Sequence, residues 1–95
     1  MQRQEILDYL RKLKKDSTIF SSFILFGSYA REDNRKDSDI DIIYSLKDGI
    51  KLSFDKYMEI EEELKKAFNT KIDLINVKRL NPLVRMNAQK DFIYV

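Results

Sequence analysis

Asp39-Ile40-Asp41 sets two carboxylates two residues apart, and along a β-strand residues i and i+2 face the same way. On such a strand the two acids project together, while Ile40 and Ile42 turn to the opposite, core-facing side. Adjacent carboxylates repel, and each raises the pKa of the other unless a cation lies between them. A hard divalent ion such as Mg²⁺ is the natural occupant, because it takes oxygen ligands and often retains water and phosphate. The same Asp-x-Asp pattern is common in surface turns, so the pair alone decides nothing. Asp73 is a third acid, interrupting the otherwise apolar stretch Ile72-Asp73-Leu74-Ile75. A charge there is expensive unless it lies at an edge or meets a cation. Asp73 either joins the pair on one sheet face, which needs neighbouring strands, or faces solvent, or pairs with a lysine such as Lys71.

Gly27-Ser28 is the other candidate feature. The chain has two glycines, and this one falls where an apolar strand ends and a helix can begin. Glycine lets a backbone approach a ligand closely, and Ser28 adds a hydroxyl and an amide at a helix start, a place suited to phosphate. The plain alternative is a strand stop followed by a helix cap. Arg31 follows within one helical turn, either as a phosphate contact or as the partner of Glu32, Asp33 or Asp37. Histidine and cysteine are both absent. That excludes Ser-His-Asp and Cys-His catalysis, histidine general bases, and zinc held by imidazole or thiolate. An enzyme with this composition works with carboxylates, hydroxyls, lysines or a bound hard metal.

The elements that must position these residues follow from hydrophobic spacing. Gln2 to Lys15 places Ile6, Leu7, Leu10 and Leu13 at helical intervals, with Arg11, Lys12, Lys14 and Lys15 crowding its C-terminal half, where cations suit the helix dipole. Residues Ile19 to Phe26 form a buried strand, and Ser28 to Glu32 a short helix. A polar connection runs from Asp33 to Ser38, and Ile40 to Leu46 is the second strand. Lys47-Asp48-Gly49 makes a turn. Phe54, Tyr57, Ile60, Leu64 and Phe68 then recur at spacings of three and four, and Glu61→Lys65 and Glu62→Lys66 support that helix as i,i+4 pairs. Lys71 to Val77 is a third strand, Pro82 opens a helix through Ala88, and Phe92 to Val95 is a final edge strand. The expected fold class is α+β: a small mixed β-sheet with helices packed on it.

Ninety-five residues make one domain, residues 1–95, with a modest core. The 43% hydrophobic and 36% charged shares describe a globular chain. No apolar run reaches the roughly 18–20 residues that span a bilayer, and no apolar leader follows Met1, so a cytoplasmic setting with no membrane association is expected. Eighteen basic and sixteen acidic residues leave a net charge of +2, too even a balance to argue for nucleic-acid binding.

Gly27-Ser28, ten residues (29 to 38), then Asp39-Ile40-Asp41 resembles the two-part signature of the minimal nucleotidyltransferase (MNT) family, within the polymerase-beta-like superfamily. Leu25-Phe26-Gly27-Ser28-Tyr29-Ala30-Arg31, Ser38-Asp39-Ile40-Asp41-Ile42 and Lys71-Ile72-Asp73-Leu74 are similar to it in turn, as are the closing helix and strand between Leu80 and Tyr94. Glu32 departs from it, standing where the family usually has glycine. The resemblance implies a minimal nucleotidyltransferase fold and a reaction with two Mg²⁺ ions and ATP. Asp39 and Asp41 would bridge both ions, and Asp73 would bind the one that activates the incoming hydroxyl. Gly27 and Ser28 would hold the triphosphate, with Arg31 as a further contact. It also implies an antitoxin that transfers AMP to a tyrosine of a HEPN ribonuclease toxin, its protein partner in a hetero-oligomer; homo-oligomerisation stays open. Two other readings are a nucleotidyltransferase-fold module that blocks its toxin by occlusion, and a transferase acting on a small molecule.

Overall fold

The computed structural model describes all residues, 1–95. Helix α1 (Arg3–Asp16) begins where the Gln2 N–H donates to Glu5 Oε1, and it buries Ile6, Leu7 and Leu10. Strand β1 (Phe20–Phe26) runs into α2 (Ser28–Arg31), and an irregular connection leads to β2 (Ile40–Leu46). Helix α3 (Phe54–Phe68) is capped by Ser53, whose side chain accepts the Lys56 N–H, and it buries Ile60, Leu64 and Phe68. Strand β3 (Ile72–Asn76), a 3-10 turn (Val77–Arg79), α4 (Pro82–Ala88), a second 3-10 turn (Gln89–Asp91) and β4 (Ile93–Tyr94) complete the chain.

The four strands form one mixed sheet in the order β3-β2-β1-β4. β1 runs antiparallel to both β2 and β4, and β2 runs parallel to β3. The α+β expectation therefore holds, with α3 as the crossover that a parallel pair requires. The faces are unequal. On one, Leu25, Ile40, Ile42, Ile72 and Leu74 meet α1 and α3 in a core of 16 buried residues. On the other, Ile24, Phe26 and Ile43 form a cluster of three, flanked by half-buried Ile75, Val77, Leu80, Ala88 and Phe92.

Several boundaries shift from the sequence expectation, among them the starts of the first and third strands, at Phe20 and Ile72 in place of Ile19 and Lys71. Val77 leaves the third strand because the Asn76 carboxamide accepts the Lys78 N–H and winds the chain into a 3-10 turn. Phe92 leaves the last strand because its N–H closes the preceding turn on Gln89 O, although Val95 still donates to Phe23 O at 2.9 Å. The short helix ends at Arg31, and Glu32 caps it in the left-handed region with φ 63°.

Candidate active site

At the start of the parallel pair, the Ile40 N–H donates to Lys71 O at 2.9 Å and fixes the register. Ile40 then lies opposite Ile72, Asp41 opposite Asp73, and Ile42 opposite Leu74. Parallel partners share a sheet face. Burial of Ile40, Ile42, Ile72 and Leu74 in the main core thus drives Asp41 and Asp73 together onto the thinly covered face. Asp39 immediately precedes β2 and is exposed, as is Asp73, whereas Asp41 is half-buried.

Phe26 lies across from Asp41 on β1, so the next residue, Gly27, turns beside the same carboxylate. A side chain would be strained there. A Cβ on Gly27 would collide with Asp41 Oδ2 and stand 3.2 Å from Asp41 Cγ, and the backbone has φ +76°, a region that L side chains rarely adopt. Tyr29 and Ala30 are buried in the main core and anchor α2, which leaves half-buried Ser28 at its open end. Gly27 O accepts the Arg31 N–H at 3.1 Å, and Ser28 O accepts the Asp33 N–H at 3.1 Å. The turn is therefore built by its own backbone and held against Asp41 by the β1–β2 register.

The electrostatics follow from this placement. Burial first, then the charges of Asp73 and Asp39, push the Asp41 carboxyl up from 3.8 to about 6, with the Arg31 cation opposing them. All three acids and Arg31 therefore share one local field. No three acids converge on a single point; Asp39 and Asp73 are exposed and flank half-buried Asp41. A trio of hard oxygen donors suits Mg²⁺ and not a soft metal, so the donor set fits the ions implied by the sequence.

Arg31 is clasped by Asp33 at 3.0 Å and Asp91 at 3.2 Å. Of the sequence candidates for its partner, only Asp33 engages it. Asp91 was missed, and no sequence signal could have found a contact sixty residues away. The two hydrogen bonds, to Asp33 and then Asp91, raise the Arg31 pKa above its usual value. Phe26, Gly27, Arg31, Val84, Ala88 and Asp91 help line a cleft of about 470 Å³ between the turn and α4. Glu32, the departure from the family pattern, turns away from it: its carboxylate meets Arg3 of α1 at 2.8 Å.

The family described as polymerase beta, nucleotidyltransferase, matches residues 4–95. A Methanocaldococcus jannaschii protein, provisionally named a protein adenylyltransferase, is 41% identical over 93 residues, covering 97% of this chain and 93% of the relative. The protein adenylyltransferase MntA of Thermococcus cleftensis is 30% identical over 71 residues, covering 75% of this chain and 70% of its own. Among solved structures, one provisionally described as a minimal nucleotidyltransferase superposes with TM-score 0.74 at 20% identity, covering 98% of this chain and 95% of that one. A toxin-antitoxin with AMP-PNP gives TM-score 0.67 at 20% identity, covering 96% of this chain and 78% of that one. A tri-AMPylated Shewanella oneidensis HEPN toxin in complex with MNT antitoxin gives 0.62 at 20% identity, covering 97% and 66%.

Proposed function

The chain belongs to the polymerase beta nucleotidyltransferase family, and from that premise we propose that it is a Mg²⁺-dependent protein adenylyltransferase. It transfers AMP from ATP to a tyrosine of a HEPN-type toxin and thereby acts as the antitoxin. The observation that carries this reading is the Asp41–Asp73 register, which brings two carboxylates to one face beside a turn whose backbone favours glycine. Support for the acceptor and partner comes from the adenylyltransferase names of the relatives and from the toxin-antitoxin complexes that share the fold.

In this reading Gly27 and Ser28 hold the triphosphate of ATP. Asp39, Asp41 and Asp73 would hold the two Mg²⁺ ions. When bound, the ions supply charge neutralisation of the phosphate oxygens and acidify the acceptor hydroxyl. The acceptor oxygen forms a bond to the α-phosphorus of ATP, the bond from that phosphorus to the β-phosphate oxygen breaks, and pyrophosphate leaves. The hydroxyl proton passes to Asp73, exposed and therefore reachable by a bulky protein acceptor. Arg31, already satisfied by Asp33 and Asp91, holds the turn to the second 3-10 segment and gives its remaining N–H groups to phosphate.

Glu32, the departure from the family pattern, is tied to Arg3 and does not line the cleft. The test is to weigh the toxin after incubation with the chain, ATP and Mg²⁺. Addition of AMP supports transfer. An unchanged toxin mass, with the complex still formed, refutes it in favour of occlusion.

A further inference from the structure

α4 is unlike α1 and α3: none of its residues is buried, yet it carries Leu83, Val84 and Met86 at 68%, 48% and 73% exposure. A helix of seven residues is marginal by itself, because helical stability in proteins comes chiefly from packing an amphipathic face. Only Leu80 before it and Ala88 at its end pack on the small cluster beneath. Leu83 and Met86 lie three residues apart and so share a helix face. Val84 lines the cleft with Gly27 and Arg31, so the apolar surface runs up to the mouth of the site. Arg85 lies on α4 itself, Lys90 lines the same cleft, and Lys78 and Arg79 precede the helix in the 3-10 turn; none of the four forms an ion pair. No acidic residue occurs between Asp73 and Asp91.

We propose that this α4 face docks the segment of the acceptor protein that presents the modified residue, and that the segment combines apolar with acidic side chains. The inference rests on the transferase reading above. Leu83 and Met86 supply apolar anchors, and the four unpaired cations supply complementarity to acids on the incoming segment. A second copy of this chain is the poorer occupant, since a two-fold interface would set the four cations against themselves. RNA is poorer too, because α4 carries no aromatic side chain on which a base could stack.

The experiment uses two synthetic peptides of about 20 residues, each with one tyrosine and leucines at helical spacing, with glutamates in one and lysines in the other. Anisotropy of a fluorescent label reads binding, and α-phosphate-labelled ATP with Mg²⁺ reads transfer. The glutamate peptide binds at least about tenfold more tightly than the lysine peptide, and more weakly as salt rises. Leu83→Glu with Met86→Glu weakens it at least about tenfold while leaving the melting temperature and ATP binding unchanged, as expected of exposed positions. Arg79→Glu with Arg85→Glu shifts preference towards the lysine peptide. No preference between the peptides, no response to either double variant, a concentration-dependent dimer lost in the Leu83 and Met86 variant, or displacement of the peptide by single-stranded RNA would each overturn the docking face. Binding without transfer would remove the transferase reading and leave the face in place; transfer indifferent to the variants would do the reverse.

Discussion

Asp41 is where function and stability oppose each other in one side chain. Its carboxyl titrates near 6 in the folded chain because of burial and of Asp73 and Asp39, against about 3.9 when unfolded. The raised value means that the folded state binds the proton more tightly. That contribution is full below pH 4 and is lost as pH rises through 6. Metal-free protein should therefore lose stability between pH 4 and 6 through this group. Asp41→Asn should raise the melting temperature at pH 7.5 in chelator, leave it nearly unchanged at pH 4, and abolish stabilisation by added Mg²⁺. Thermal melts across pH decide it; an equal effect at both pH values would contradict the account. Because a metal must displace that proton, Mg²⁺ affinity should fall as pH drops below 6. Glu32 gives a contrasting case. Its left-handed backbone costs about 1 kcal/mol relative to glycine, and its exposed pair with Arg3 returns up to about 1 kcal/mol. Glu32→Gly should change unfolding free energy by less than about 1 kcal/mol and leave transfer intact. The carboxylate pair was legible as residue types with a period-two spacing. The clasp of Arg31 by Asp91 was not, since a single long-range contact leaves no local pattern.

The elements place these side chains through register and not through proximity in the chain. A one-residue slip of β3 against β2 would turn Asp73 into the core and Ile72 out of it. The burial of Ile72 and Leu74 therefore sets the site as firmly as it sets the fold. The elements themselves were readable from apolar spacing. Their ends were not, where a side chain such as Asn76 captured a backbone N–H and rewound the chain. Pairing order was readable only as a condition, that the third strand lie beside the second. Gly27 is the junction between elements. Gly27→Ala should destabilise by about 1–3 kcal/mol, through strain at φ +76° and collision with the Asp41 carboxylate. Asp41→Ala in the same chain should relieve the collision part alone. A double-mutant cycle in denaturant measures the coupling, and strict additivity would show that the two do not press on each other.

At the scale of the whole molecule, the asymmetry between the faces is the organising fact. The face under α1 and α3 carries the stability: Leu64, 1% exposed, should cost about 2–5 kcal/mol when changed to Ala. Met86, 73% exposed, should cost under about 0.5 kcal/mol as Ala. Denaturant melts of the two variants read the difference directly. The opposite face holds the acids, the glycine turn and an unburied helix, on which the proposed chemistry and the proposed contact rest. Only the first of these roles could be read from the sequence, because exposure of α4 depends on what the rest of the fold leaves uncovered. The central claim is that the parallel register makes Asp73 a working member of the site. Labelled AMP transfer to the proposed HEPN-type acceptor by Asp73→Asn, compared with the unaltered chain at equal melting temperature, tests it most directly. The account predicts a loss of at least about 100-fold; transfer at the unaltered rate would contradict it.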